Sequence, residues 1–387
     1  MRSLTIKFVL PLILLTSAAC NDKNVAPPID LQEKPTVTVH NEKPKLLESS
    51  KALWSLAEKD INQAVLHADA LETAINTLLE RRQPQNIVDA NQIWRELMHS
   101  FERNAIFLYL AKVAPEKFGV LRSYQTSLAA WPIEPGYLDA FGPYPYSGLV
   151  FDVEVPINEV TLRGQNGMTD ATEASVGLYA LEFILNGENH DRSAIAFKPI
   201  NQISEKHKET GYTNINELPR NRRRELLRLQ AQLLNKDMQH LAEDWRSTKT
   251  ESLFNRVANL PRAQQLLVFT QAAAHCIVDQ MMVLSELKQQ STAIDKPKPS
   301  TILANNQLQA DRLMHQLQGI HAVLTVLSKE LPLTESLEKL EAVSIELQAI
   351  LKTPPKNAVG DSPNIEWQTA FSTLKSIAQT LFDLKLN

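Results

Sequence analysis

Between Trp54 and Leu78 the apolar residues Trp54, Ala57, Ile61, Ala64, Ala68, Leu71, Ile75 and Leu78 follow one another at alternating steps of three and four. A chain with that period forms one continuous apolar stripe when it is helical and scatters the same residues over both faces when it is extended. A single stripe cannot be buried alone, so it demands partner helices. The sequence supplies them. A second helix is expected over 86–113, with Trp94, Leu97, Phe101, Leu108 and Ala111 aligned, and a shorter one over 119–131. Two more follow over 218–246 (Leu227, Leu234, Met238, Leu241, Trp245) and 262–289 (Leu266, Phe269, Ala273, Ile277, Leu284). The final stripes are Leu313, Leu317, Ile320, Leu324; Leu337, Leu340, Val343, Leu347; and Trp367, Phe371, Leu374, Ala378, Leu381. Prolines 84, 332, 354, 355 and 363 separate them. The expected fold is all-α, with two antiparallel helix bundles packed together. One bundle covers 46–250, and the other covers 251–387 with a linker at 291–300, where two prolines interrupt STAIDKPKPS.

The N-terminus reads differently. Arg2 and Lys7 precede an apolar run that ends at Leu15, too short to span a bilayer, and small residues lead to Cys20. This is the pattern of an export signal over 1–20. Ser17-Ala18-Ala19-Cys20 resembles a bacterial lipoprotein signal, in which Cys20 carries the lipid; it also suits ordinary signal cleavage. Residues 21–45, rich in Pro, Lys, Asp and Glu, read as a disordered tether. The expected location is the bacterial cell envelope, anchored in the outer membrane through Cys20 and facing the periplasm. With Cys20 lipidated, Cys276 has no intramolecular disulfide partner, and its setting AAAHCIVDQMM suits a small buried hydrophobe. The 40 Lys and Arg against 44 Asp and Glu give a net charge of -4. That balance offers no field for nucleic acid, so recognition has to come from a local site.

One segment departs from the helical pattern. Residues 132–170 hold five of the 11 glycines and three of the seven tyrosines. Its length marks a functional loop, and the alternation in Leu149-Val150-Phe151-Asp152-Val153 suggests a small strand pair and a lid. Directly after it, Asp170 and Glu173 stand in capping-box relation and Gly187 supplies a stop, so a helix is expected over 171–186. This helix is apolar nearly all round, and its polar residues Ser175, Tyr179, Glu182 and Asn186 fall on one line. A buried carboxylate needs a partner, a metal or a proton. Tyr179, one turn before Glu182, is placed to reach it, as are the arginines of the run 220–225.

GLYALEFILNG resembles the signature helix of the imelysin-like, or M75 peptidase-like, family, whose motif is Gly-x-His-x-x-Glu. Gly177 and Glu182 match it, and Tyr179 stands at the histidine position. WPIEPGYLDAF, with Trp131, Pro132 and Asp139, resembles the family's Trp-Pro segment. The segment from Arg222 and Arg223 through Leu226 to Trp245 resembles the helix after the motif, and LQGIHAVL around Gly319 its C-terminal half. Where the family commonly carries Pro and Glu, Ser100 and Ala105 stand here. The resemblance implies a periplasm-facing, two-bundle protein linked to iron regulation or uptake, with a metal site at the motif. Tyr179 and Glu182 would form an oxygen-only pair suited to ferric iron or another hard metal rather than zinc. The alternatives are a metallopeptidase of the M75 type and a scaffolding lipoprotein with a degenerate site. A periplasmic protein partner fits either binding reading.

The chain holds further acid–histidine spacings. Glu96-x-x-His99 and Asp237-x-x-His240 have the spacing of di-iron helices but lie off or at the edge of their stripes. His275 and Asp279 could form a buried pair. The chain has no phosphate-cradling glycine loop, nucleophile elbow, Cys-rich zinc pattern or His-Glu-x-x-His, so hydrolysis has no positive support.

Overall fold

The computed structural model describes residues 46–292, 300–352 and 362–385. The export signal with Cys20, the tether and the interior of the linker lie outside them. Long helices dominate: α1 (Glu48–Arg81), α2 (Pro84–Leu108), α3 (Val120–Ala129), α4 (Leu178–Asn186), α5 (Pro219–Arg246), α6 (Arg262–Thr292), α7 (Ser300–Leu327), α8 (Thr334–Lys352) and α9 (Ser362–Asp383). Among the described residues there is no strand, only an isolated bridge between Phe141 and Tyr144. The all-α expectation therefore holds.

The stripe from Trp54 to Leu78 is buried throughout, because α1 lies against both α2 and α5. Trp54 and Trp245 stack with ring centroids 3.9 Å apart. Each indole N–H donates to the other tryptophan's carbonyl at 3.2 Å, so two large aromatics enter the core with no polar atom left over. Farther along the chain, α6 packs on α7 and α9, and α8 closes against the same two. Residues 262–288 have the length and apolar content of a membrane span, but α6 spends that surface on α2, α7 and α9.

The two helix groups meet along α2 and α7. Gly319 of α7 faces the backbone of α2 so closely that a Cβ there would lie 2.0 Å from the Arg103 carbonyl oxygen. Only a residue without a side chain permits that approach. It sets the spacing at which side chains of α2, α4 and α7 converge.

Several expectations need correction. The second helix ends at Leu108, and Leu110–Val113 forms a separate turn after Tyr109, whose amide bonds the Ile106 carbonyl three residues back at 3.1 Å. Phe371 is 39% exposed, whereas Ala370 and Ile377 fill the core side of α9. The alternating segment 149–153 makes no strand pair. Its carbonyls turn inward onto Arg222, whose guanidinium donates to the oxygens of Leu149 (2.7 Å), Val150 (3.1 Å), Asp152 (2.6 Å) and Val155 (2.8 Å). A side chain thus does the satisfying that a partner strand would have done.

Candidate functional site

The motif helix is shorter than its sequence suggested. Asp170 accepts from the Thr172 amide at 2.8 Å and hydroxyl at 2.7 Å, which makes a local turn rather than a helix cap. Ser175 is tied down outside the helix, its hydroxyl on the Leu162 carbonyl at 2.5 Å and its amide on Asn166 Oδ1 at 3.0 Å. Gly177 then has φ 99, and a Cβ there would lie 3.0 Å from the carbonyl oxygens of Ser127 and Leu128. A glycine is needed for both reasons, and α4 can begin only after it. Gly187 ends the helix as expected, and every residue from Leu178 to Asn186 is buried.

Tyr179 and Glu182 share this helix but not a partner. The Tyr179 hydroxyl donates to Glu102 of α2, a carboxylate 1% exposed. Arg312 and Gln316 of α7 complete that acid: Arg312 Nε donates to Oε1 at 3.1 Å, and Gln316 Nε2 donates to Oε2. The Arg312 guanidinium lies 4.6 Å from the ring centroids of both Trp131 and Tyr179. Burial pushes the Tyr179 phenol well above its ordinary pKa, the Glu102 carboxylate adds to this, and Arg312 opposes it. Tyr179 is therefore a neutral donor inside a closed ion pair. The expected Tyr179–Glu182 oxygen pair is not formed.

Glu182 faces the other way. Its Oε1 receives Asn186 Nδ2 at 2.8 Å and lies 3.2 Å from His190 Nδ1. The side chain is 7% exposed, and burial raises its pKa against the lowering pull of His190, Asn186 and Arg192. Beside it is a cavity of about 150 Å³, walled by Trp131, Pro132, Phe141 and Phe183 on one side and by Leu308 and Gln309 of α7 on the other. Trp131 has both duties: it packs on Tyr179 at 4.8 Å and it lines the cavity.

The loop before the motif is held by Asp139, which is fully buried. Arg223 grips it with Nε at 2.6 Å and Nη2 at 2.9 Å, and Arg192 adds Nη2 at 2.9 Å. Burial would raise this carboxyl, but the two guanidiniums and the Ala140 amide hold it below 3.8. None of Arg222, Arg223 and Arg224 is bonded to Glu182. Arg224 Nη1 bonds the Leu79 carbonyl oxygen at 2.9 Å and also that of Phe197, so the arginines of the run 220–225 serve backbone carbonyls and Asp139.

The other acid–histidine spacings are structural. Asp237 is clamped by Arg163 at 2.7 and 3.0 Å, and His240 is exposed. His99 stacks on His315 at 3.8 Å, where burial lowers its pKa to about 4. Asp279 takes Lys112 at 3.0 Å, while His275 packs on Phe382 at 5.0 Å. Cys276 is buried with Sγ 3.8 Å from Gln316 Oε1. Among the described residues no group of three or more His, Cys, Asp or Glu side chains is placed to hold a metal ion. With Tyr179 given to Glu102, Glu182 and His190 offer only two donors, and the residues do not fit a resident metal.

Glu102, Arg312, Gln316, Gln309 and His190 were not read from the sequence as site residues. A signal for three of them existed: Gln309, Arg312 and Gln316 fall at steps of three and four beside the stripe Leu313, Leu317, Ile320, the same kind of polar line that drew attention to α4.

The imelysin (Peptidase_M75) family model matches residues 57–366. A solved structure assigned as an iron-regulated protein A precursor from Parabacteroides distasonis ATCC 8503 is similar over 91% of this chain and 97% of that one, with 14% identity and a TM-score of 0.50. At that identity the likeness speaks for the fold. No curated protein matches the sequence. The chain belongs to the imelysin family.

Proposed function

We propose that this imelysin-family chain is an exported, non-catalytic binding protein associated with iron acquisition, which takes its ligand into the cleft beside Glu182. The observation that carries the reading is the Glu182 carboxylate, buried between α4 and α7 on the wall of a cavity while its neighbour Tyr179 is fully engaged elsewhere. A fold keeps an acid in such a place at a cost, and the return is usually recognition. The same reading places Cys20 in the outer-membrane lipid, divides the folded part at 46–250 and 251–387, and puts the cleft between the two bundles, where a periplasmic protein partner could reach it. The relative assigned as iron-regulated supports the iron setting. Iron enters here as that setting, not as an ion gripped by Tyr179 and Glu182. A peptidase would need an activated water or nucleophile, and Glu182 with His190 forms neither a three-ligand metal centre nor a nucleophile–base pair.

The test is native mass spectrometry with elemental analysis on the full chain purified from iron-limited cells, beside Glu182→Ala. The parent is expected to carry a small molecule that the variant lacks, and to leave unfolded protein substrates uncut with or without added metal. Equal retention by both proteins, or proteolysis that disappears with Glu182, would overturn the proposal.

A further inference from the structure

The Glu182 cavity has a chemical bias that goes beyond its being a binding site. Glu182 Oε1 is shared by Asn186 and His190, which leaves Oε2 without a hydrogen bond to the protein. Gln309 is also on the lining and is only 7% exposed, and its buried Oε1 has no hydrogen-bond partner. Two residues on the lining of one small space thus carry an acceptor with nothing donating to it, and Gln309 Oε1 lies beneath that lining, reached when the amide turns outward. Buried polar groups are almost always satisfied, and the exceptions ask for an explanation. The surroundings restrict what the missing donor can be. Phe141 and Phe183 supply aromatic walls, which attract a cation and repel an anion, while the Trp131 ring already carries Arg312 at 4.6 Å and adds apolar surface. At the rim Glu188 adds a second carboxylate, its Oε2 on the Gly142 amide at 2.9 Å. Two guanidiniums stand nearby and both are committed: Arg192 to Asp139 at 2.9 Å and to the Ile184 carbonyl at 2.5 Å, and Arg312 to Glu102 at 3.1 Å.

Resting on the proposed binding role of this cleft, we infer that the group it takes is an organic ammonium, a primary amine on a short apolar stem. The N–H donors would meet Glu182 Oε2 and, once its amide turns outward, Gln309 Oε1, and the stem would lie against the aromatic walls. The volume of about 150 Å³ suits this size, since a cavity of that scale holds one benzene-sized group. A guanidinium with its longer stem would overfill it. A carboxylate or phosphate would face two acids.

The experiment is titration of the full chain at neutral pH with n-butylammonium, 1-butanol and butyrate, followed by tryptophan fluorescence and calorimetry, and repeated on Glu182→Gln and Gln309→Leu. Saturable binding of butylammonium alone is expected, weakened about tenfold or more by Glu182→Gln, because a charge-assisted hydrogen bond is lost, and by a smaller factor in Gln309→Leu. Butanol or butyrate binding as tightly as butylammonium, with sensitivity to Glu182→Gln, would overturn the ammonium assignment and leave the cleft as the binding site. Butylammonium binding unchanged in both variants would overturn the assignment and also count against the cleft. No saturable binding by any probe would overturn the assignment alone.

Discussion

Two buried glutamates a short distance apart make different use of the same interior. Glu102 is closed: one tyrosine, one arginine and one glutamine, drawn from α4 and α7, take up both its oxygens. Glu182 is half open, with one oxygen paired and the other on a cavity wall. Burial alone therefore does not mark a functional acid; the count of its unused lone pairs does. The comparison also divides the motif. Tyr179 belongs to the closed site and joins the helix groups, whereas Glu182 belongs to the open one.

That division can be broken experimentally. The largest effect is expected from Glu102→Leu, which leaves the Arg312 charge, the Tyr179 hydroxyl and the Gln316 amide without their common acceptor. It should cost about 3–5 kcal/mol in urea unfolding, the usual loss for stranding a buried charge. A cost near zero would mean that the closed site is not what joins α2 to α7. Gly319→Ala comes next, at about 1–3 kcal/mol, because the added carbon must push α7 away from the Arg103 carbonyl and so loosen both sites. The third effect depends on pH. Asp139 has a lowered folded pKa, so its stabilisation is complete above 3.8 and lost as pH falls through the folded value. Glu182 has a raised one, so its contribution is greatest below 4.5 and is lost as pH rises through the folded value. Unfolding midpoints measured across pH should therefore show Asp139→Asn flattening the acid limb and Glu182→Gln flattening the decline toward neutrality. A Glu182→Gln profile parallel to the parent's would contradict the raised pKa.

Much of the fold was legible because helical period survives any tertiary arrangement. The stripes from Trp54 to Leu78 and from Leu313 to Leu324 are buried as read. The site was only partly legible. Glu182, Trp131 and Pro132 were read as cleft residues and do line one cavity, and Asn186 bonds Glu182. Gly177 and Asp139 were grouped with them, but they act by admitting α4 against α3 and by holding the loop. Ser175 was placed on the helix and lies before it, since Asn166 and Leu162 offered its backbone and hydroxyl nearer partners. Tyr179 was assigned to Glu182 because helical spacing brings the two together. Spacing within one helix cannot report that α2 brings Glu102 to the same tyrosine. Long-range pairing is the information that one helix's pattern lacks.

The central claim, that one acid is kept for the fold and the other for a ligand, is tested most directly by unfolding Tyr179→Phe and Glu182→Gln beside the parent in urea at neutral pH without added ligand. Tyr179→Phe is expected to lose about 1–2 kcal/mol with its buried hydrogen bond. Glu182→Gln is expected to match or exceed the parent, because it removes a carboxylate whose ionised form burial disfavours. A Glu182→Gln protein less stable than Tyr179→Phe would contradict the account.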